Sequence, residues 1–155
     1  TSYLENQRDY RGFETNIGWR HGIAHSADLL LQLALNPALD KQQLDSILTA
    51  LASQVSAQDQ HFYIYGEPKR LAMPLVYVYL RGLHSTEQWQ NWLNTITAPA
   101  PLTDWQAAYQ SQLGLAKLHN TKSFLETLFA LIKNSKNATL ASMIPALELA
   151  IKNMP

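Results

Sequence analysis

The sequence predicts an all-α protein of six to seven helices packed as antiparallel pairs, stacked as a HEAT-like α-α superhelix. Three observations carry that expectation. Apolar residues recur at close to the ~100° per residue of an α-helix in nearly every segment. The breaks between segments are short and marked by Asn, Pro or a capping residue, so successive helices fold back on one another. The strand-like run at His61, Phe62, Tyr63 and Tyr65 has nothing to pair with, and an isolated strand is unstable.

Length and composition bound the problem. A chain of 155 residues fits one domain, and at that size roughly 70% of the unfolded surface is buried, so no metal or disulfide is needed to hold a core. Twelve basic and twelve acidic residues cancel, which leaves no cationic excess for phosphates and argues against nucleic acid as a partner. Only 15% of residues are charged. Apolar surface is therefore expected to meet a second copy or a missing N-terminal segment. Cysteine is absent, which excludes thiol catalysis and thiolate metal sites and suits a reducing, cytoplasmic setting. No apolar run reaches the ~18 residues of a membrane span. The chain starts at Thr1 rather than Met, so a removed leader or an upstream segment is compatible with it.

Taken in order, Tyr3 to Gly12 reads as a helix end running into a turn, with Arg8, Asp9 and Arg11 crowded before Gly12. Gly18 to Leu35 reads as the central helix, capped by Asn16, with Trp19 as a core anchor and a stop at Asn36-Pro37. Asp40 caps a second helix through about Val55, with Leu44, Ile47, Leu48, Leu51 and Val55 on its inner face. Ser56 to Gly66 is an aromatic loop that packs over a helix end. Glu67 to Leu83 is a third helix, with Pro68 in its first turn and a kink or restart at Pro74. Val76 to Tyr79 also has strand propensity.

Ser85-Thr86-Glu87 opens a fourth helix that buries Trp89, Trp92, Leu93 and Ile96. Thr97 to Leu102 is a Pro-rich break and the place for a subdomain boundary within one all-helical domain, 1–155. Thr103 or Asp104 caps the next helix, which carries Trp105, Ala108, Tyr109, Leu113 and Ala116 and ends in a turn at His119-Asn120. Ser123 to Lys133 and Ala138 to Asn153 complete the set, the last bent at Pro145.

The candidate site lies on the central helix. At helical spacing His21, His25, Asp28 and Gln32 form one polar stripe on an otherwise apolar element. An ordinary solvated face would carry Lys and Glu, so this stripe is expected to border a cleft. The Glu67–Leu83 helix carries a second polar line at Arg70, Tyr77 and Arg81. Burying either line against hydrocarbon would cost several kcal/mol for its charges. The two lines are therefore expected to face each other, with Asp28 near Arg70, Glu67 close by, and Arg8 or Arg11 folding back towards Asp28.

YLENQRDYRGF, GWRHGIAHSADLL and GEPKRLA together resemble the ERDxRG, GWxHxxAHxxD and EDERLA segments of a bacterial domain-of-unknown-function family, family 2785. The match runs through Leu83, and the chain resembles that family's C-terminal portion. Two positions depart: Gln7 stands at the first acidic position, and EDER is reduced to Glu67, Pro68, Lys69 and Arg70. The resemblance implies an all-helical protein without an assigned activity. The positions it marks are Arg8, Asp9, Arg11, His21, His25, Asp28, Glu67 and Arg70.

Two function classes stay open. One is a helical scaffold or binding protein that needs no cofactor and takes a small or anionic ligand or a protein partner through His21, His25, Asp28, Arg11, Glu67 and Arg70. The other is a hydrolase, either metal-dependent or using His25 with Asp28 as general base. An i, i+4 pair such as His21 and His25 suits zinc or another divalent metal, with Asp28 as third ligand or as a hydrogen-bond partner behind the ligands. HGIAH lacks the Glu of the HExxH protease motif, and no Ser or Thr is marked out as a nucleophile.

Overall fold

The computed structural model describes all 155 residues, Thr1–Pro155. The elements, in chain order, are α1 (Ser2–Glu5), β1 (Phe13–Glu14), β2 (Gly18–Trp19), α2 (Gly22–Ala34), α3 (Lys41–Ala52), α4 (Glu67–Leu80), α5 (Thr86–Thr97), a 3-10 turn (Gln106–Gln110), α6 (Gln112–Lys133), α7 (Ala138–Ala141) and α8 (Ile144–Lys152). Six of the helices have nine residues or more, α1 and α7 are single turns, and the two strands form one small antiparallel hairpin. The protein is all-α in class, with helices packed pairwise.

The helices with clear start signals form where the residues demand. Asp40 accepts from the Gln43 N–H while the Gln43 side chain accepts from the Asp40 N–H, a reciprocal cap that opens α3. Ser85 and Gln88 do the same for α5. Pro68 sits in the first turn of α4, where its missing N–H has no helical partner to lose. α4 runs unbroken past Pro74, so the helix does not restart there. Pro74 is buried, and packing around α4 outweighs the one backbone hydrogen bond that proline removes.

α4 is the hub. It packs most extensively on α2 and also against α6, α3 and α7, while α6 packs on α8 and on the 3-10 turn. The centre is therefore α4 rather than the segment around α2. Leu29 on α2 and Leu35 just after it are exposed, and the helix buries the face of Ile23, Ala24, Ser26, Ala27, Leu30 and Ala34. One apolar cluster runs from Leu4 to Met154 and includes Leu71, Leu75, Leu93, Phe124, Leu128 and Leu147.

Two further boundaries differ from expectation. His119-Asn120 is no turn: α6 continues through both, because the Asn120 side chain bonds the backbone of the Ser56–Gly66 loop instead of its own helix. The C-terminal segment is not one helix bent at Pro145 but two, α7 and α8, with Pro145 in the first turn of the second. A proline just inside a helix start marks a beginning rather than a bend. Trp105 and Tyr109 lie at the start of a 3-10 turn and within it, and Asp104 accepts from the Ala107 N–H there. Ser111 then caps α6.

Candidate functional site

The hairpin and the start of α2 build the site. β1 and β2 pair antiparallel, with Phe13 opposite Trp19 and Glu14 opposite Gly18. Asn16 lies in the hairpin turn, so it does not cap the helix. The pairing extends past the strands, since Arg20 N–H donates to the Gly12 carbonyl at 2.9 Å and His21 N–H to the Arg11 carbonyl at 3.0 Å. The chain must then leave the hairpin and enter α2, and it does so at His21, whose φ of 43° is left-handed. His21 is thus the residue before the helix and not part of it, and Gly18 and Trp19 lie in a strand.

That turn decides which side chains point where. Trp19 is not a core anchor: it is 58% exposed. It is held by rings on three sides, with centroids at 5.3 Å to Phe13, 4.6 Å to His21 and 5.8 Å to Tyr65. The Tyr65 ring lies directly on Gly12, where a Cβ would stand 1.8 Å from Cδ2. His21 turns inward, so that its Nε2 stands 3.6 Å from Glu67 Oε1.

Glu67 is the first residue of α4 and only 1% exposed. Its Oε2 accepts from the Tyr65 N–H at 2.8 Å. Oε1, like His21 Nε2, is buried without a hydrogen-bond partner. A carboxylate at a helix N-terminus is favoured by the positive end of the helix dipole.

His25 is exposed, and its ring stands edge-on to His21 at 6.2 Å. Asp28 pairs with Arg70 across the α2–α4 contact, both half-exposed. Arg8 and Arg11 do not reach Asp28. Arg8 donates to the Glu5 and Gln7 carbonyls, and Arg11 grips Asp9 through two bonds of 2.8 and 2.6 Å and approaches Glu14 at 3.4 Å. The Arg11 guanidinium, working against partial burial, holds the Asp9 carboxyl down at about 2. With a carboxylate two residues away, Arg11 has no reason to cross to α2. Arg81 ends its polar line by donating to the Asn36, Pro37 and Leu39 carbonyls, tying α4 to the α2–α3 connection.

The histidines are not the in-helix pair expected: His21 lies just before α2, its ring centre 6.2 Å from that of His25, and Asp28 is engaged by Arg70. No group of three or more His, Cys, Asp or Glu is arranged to hold a metal ion. The expected cleft is also different: none of the five main cavities is lined by His21, His25, Asp28, Glu67 or Arg70. The histidines border an exposed aromatic surface instead. Sequence reasoning missed Phe13, Trp19 and Tyr65 as parts of it. The available signal was two aromatics, Phe13 and Trp19, flanking Asn16 and Gly18, residue types that favour a hairpin turn.

No curated protein and no solved structure is found to be similar to the chain. A family model of proteins of unknown function, DUF2785, matches residues 1–130, well beyond the three motifs, the last of which ends at Ala72. With the motif-bearing hairpin, α2 and α4 all inside that span, the chain belongs to the DUF2785 family of proteins of unknown function.

Proposed function

We propose that this protein is a helical binding protein that recognises a protein partner on the surface formed by the hairpin and the outer face of α2. The observation that carries the reading is Trp19, more than half exposed yet fixed by Phe13, His21 and Tyr65. Large exposed aromatics held rigid lose little freedom on binding, and tryptophan is among the residues that dominate interface energies. The surface continues along α2. His25 and Leu29 are one turn apart and both exposed, and Asp28 with Arg70 supplies a charged edge. Apolar centre and charged rim are the usual anatomy of an interface. This binding needs no cofactor.

A second reading rests on the His21–Glu67 pair. Two buried polar atoms without partners, 3.6 Å apart, suit a proton-transfer role in a hydrolase, with or without a metal at the neighbouring His25. One experiment separates the two. A partner is captured from source-cell extract on immobilised wild type, then purified and titrated against wild type, Trp19→Ala and the remote exposed variant Leu149→Ala on α8. Trp19→Ala should weaken binding by roughly tenfold or more, and Leu149→Ala should not. Equal binding to Trp19→Ala, or stoichiometric zinc in untagged protein that is lost in His25→Ala, would overturn the binding reading.

A further inference from the structure

A partly enclosed cavity lies away from the hairpin surface. It holds about 380 Å³ between the end of α3 and the chain that follows it, the end of α5, the Ala100-Pro101 segment and one face of α6. That volume sits within the ~300–1,000 Å³ of small-molecule sites. α6 contributes Leu113, Lys117 and Thr121, spaced i, i+4, i+8, so they descend one face from the surface to the interior. Leu113 is exposed, Lys117 half-buried and Thr121 fully buried. Val55, Ile96 and Pro101 line the cavity between them.

Two polar groups in this mixed lining make no hydrogen bond or ion pair. Lys117 makes no ion pair with any carboxylate, and its ammonium stands 5.7 Å from the Trp105 ring centre. The Thr121 hydroxyl is buried with nothing to bond. The other hydroxyls lining the cavity are satisfied: Ser53 donates to the Ala50 carbonyl, Ser56 to Ala57 and Thr95 to Asn91. A helical threonine ordinarily bonds the carbonyl four residues back, and Thr121 does not. Buried polar groups without partners are rare, and each calls for an explanation.

We propose that this cavity binds a small amphipathic monocarboxylate, whose carboxylate is taken by Lys117 and the Thr121 hydroxyl and whose apolar body lies against Val55, Ile96, Pro101 and Leu113. One ligand group satisfies both orphans. The carboxylate supplies the counter-ion that Lys117 lacks and an acceptor for the Thr121 O–H, while Val55, Ile96, Pro101 and Leu113 offer apolar contact to the rest of the ligand. Burial already pushes the Lys117 ammonium below lysine's ordinary value, as expected of a charge half-removed from water without compensation. A neutral apolar ligand would leave both polar groups as they are.

The test titrates octanoate and 1-octanol into the full chain, with amide chemical shifts and calorimetry as readouts. Octanoate should bind one to one and shift the amides of Val55, Ile96, Leu113 and Thr121. Lys117→Met keeps the side chain's length and removes its charge. It should weaken octanoate roughly ten- to a hundredfold and leave 1-octanol unchanged, as befits a charge-assisted bond. Thr121→Val, similar in size, should weaken octanoate several-fold. Trp19→Ala should bind octanoate like wild type, which keeps this site separate from the hairpin surface. If Lys117→Met does not fold, Lys117→Gln takes its place. Octanoate and 1-octanol binding alike, unchanged octanoate affinity without the lysine charge, no binding at millimolar octanoate, or shifts confined to other surfaces would each overturn the proposal.

Discussion

Asn120→Asp isolates the contact that fastens the aromatic loop to α6. Asn120 is fully buried. Its Oδ1 accepts from the Tyr63 N–H at 2.8 Å, and its Nδ2 donates to the His61 carbonyl at 2.9 Å. The aspartate has the same shape and keeps the first bond, but it sets an oxygen against the His61 oxygen. A lost bond that strands a buried carbonyl costs about 1–3 kcal/mol. The ionised carboxylate, buried without a cation, brings the deficit near neutral pH to roughly 3–5 kcal/mol. For a chain of this size that lowers Tm by roughly 10 °C or more. Burial raises the new carboxyl above its unfolded value of ~3.9. Its protonated form can donate to His61, so the variant is close to wild type below the unfolded pKa. It loses stability as pH climbs from there towards the folded pKa. Urea unfolding followed by tryptophan fluorescence at about pH 4 and about pH 7 measures this, with Tyr63 amide exchange as a local reporter. A deficit under ~1 kcal/mol at about pH 7, or one equal at both pH values, refutes the bidentate role of Asn120.

Gly12→Ala should destabilise by ~1–3 kcal/mol, because its Cβ would stand 1.8 Å from the Tyr65 ring and displace it from Trp19. An unchanged near-ultraviolet dichroism spectrum and melting point would contradict that. At Asp45, partial burial opposes ionisation, but hydrogen bonds from Lys41 and His84 hold the carboxyl below its ordinary value. Its stabilisation is therefore present above the unfolded pKa and lost as pH falls through the folded one. Asp45 is 47% exposed, so Asp45→Asn should flatten the acid side of the stability profile by about 1 kcal/mol at most, and an acid limb identical to wild type would exclude the effect. Asp28→Arg and Arg70→Asp, in a half-exposed pair, should each cost about 1 kcal/mol. Additive losses in the double variant, instead of partial recovery, would mean the two charges are not coupled.

What could be read from the residues divides along one physical line. α3, α5 and the start of α4 were legible because Asp40, Ser85 and Pro68 act on the backbone within their own first turn. Where a side chain acts at a distance, local pattern misleads. Asn120 has modest helix propensity and looks like a turn beside His119, yet it stays helical because its amide serves a loop almost sixty residues earlier in the chain. Pro74 looks like a break, yet the apolar contacts of α4 carry the helix past it. In the site, the pairing of Asp28 with Arg70 follows from two polar lines on two packed helices, which spacing can show. The Lys117 cavity was invisible, because its walls come from three separate stretches of chain.

The hairpin is the instructive failure, because a single backbone angle reverses the roles of its residues. Read as one continuous helix, the segment from Gly18 puts Trp19 at the edge of the core and His21 beside His25. A strand ending at Trp19, followed by a left-handed His21, sends the tryptophan outward and the imidazole inward to Glu67. His21 is the one non-glycine residue with positive φ, a conformation that costs roughly 1–2 kcal/mol. Glycine, which takes that angle freely, would remove the strain. It would also remove the ring that separates Trp19 from Glu67 and backs the tryptophan at 4.6 Å. Strain of this kind persists only where the surroundings over-determine it, and here they do. The Arg11 carbonyl fixes the His21 N–H, the His25 N–H fixes its carbonyl, and the ring is wedged between an exposed indole and a buried carboxylate. The backbone strain therefore serves the side chain, which couples the surface tryptophan to the one carboxylate buried in the molecule.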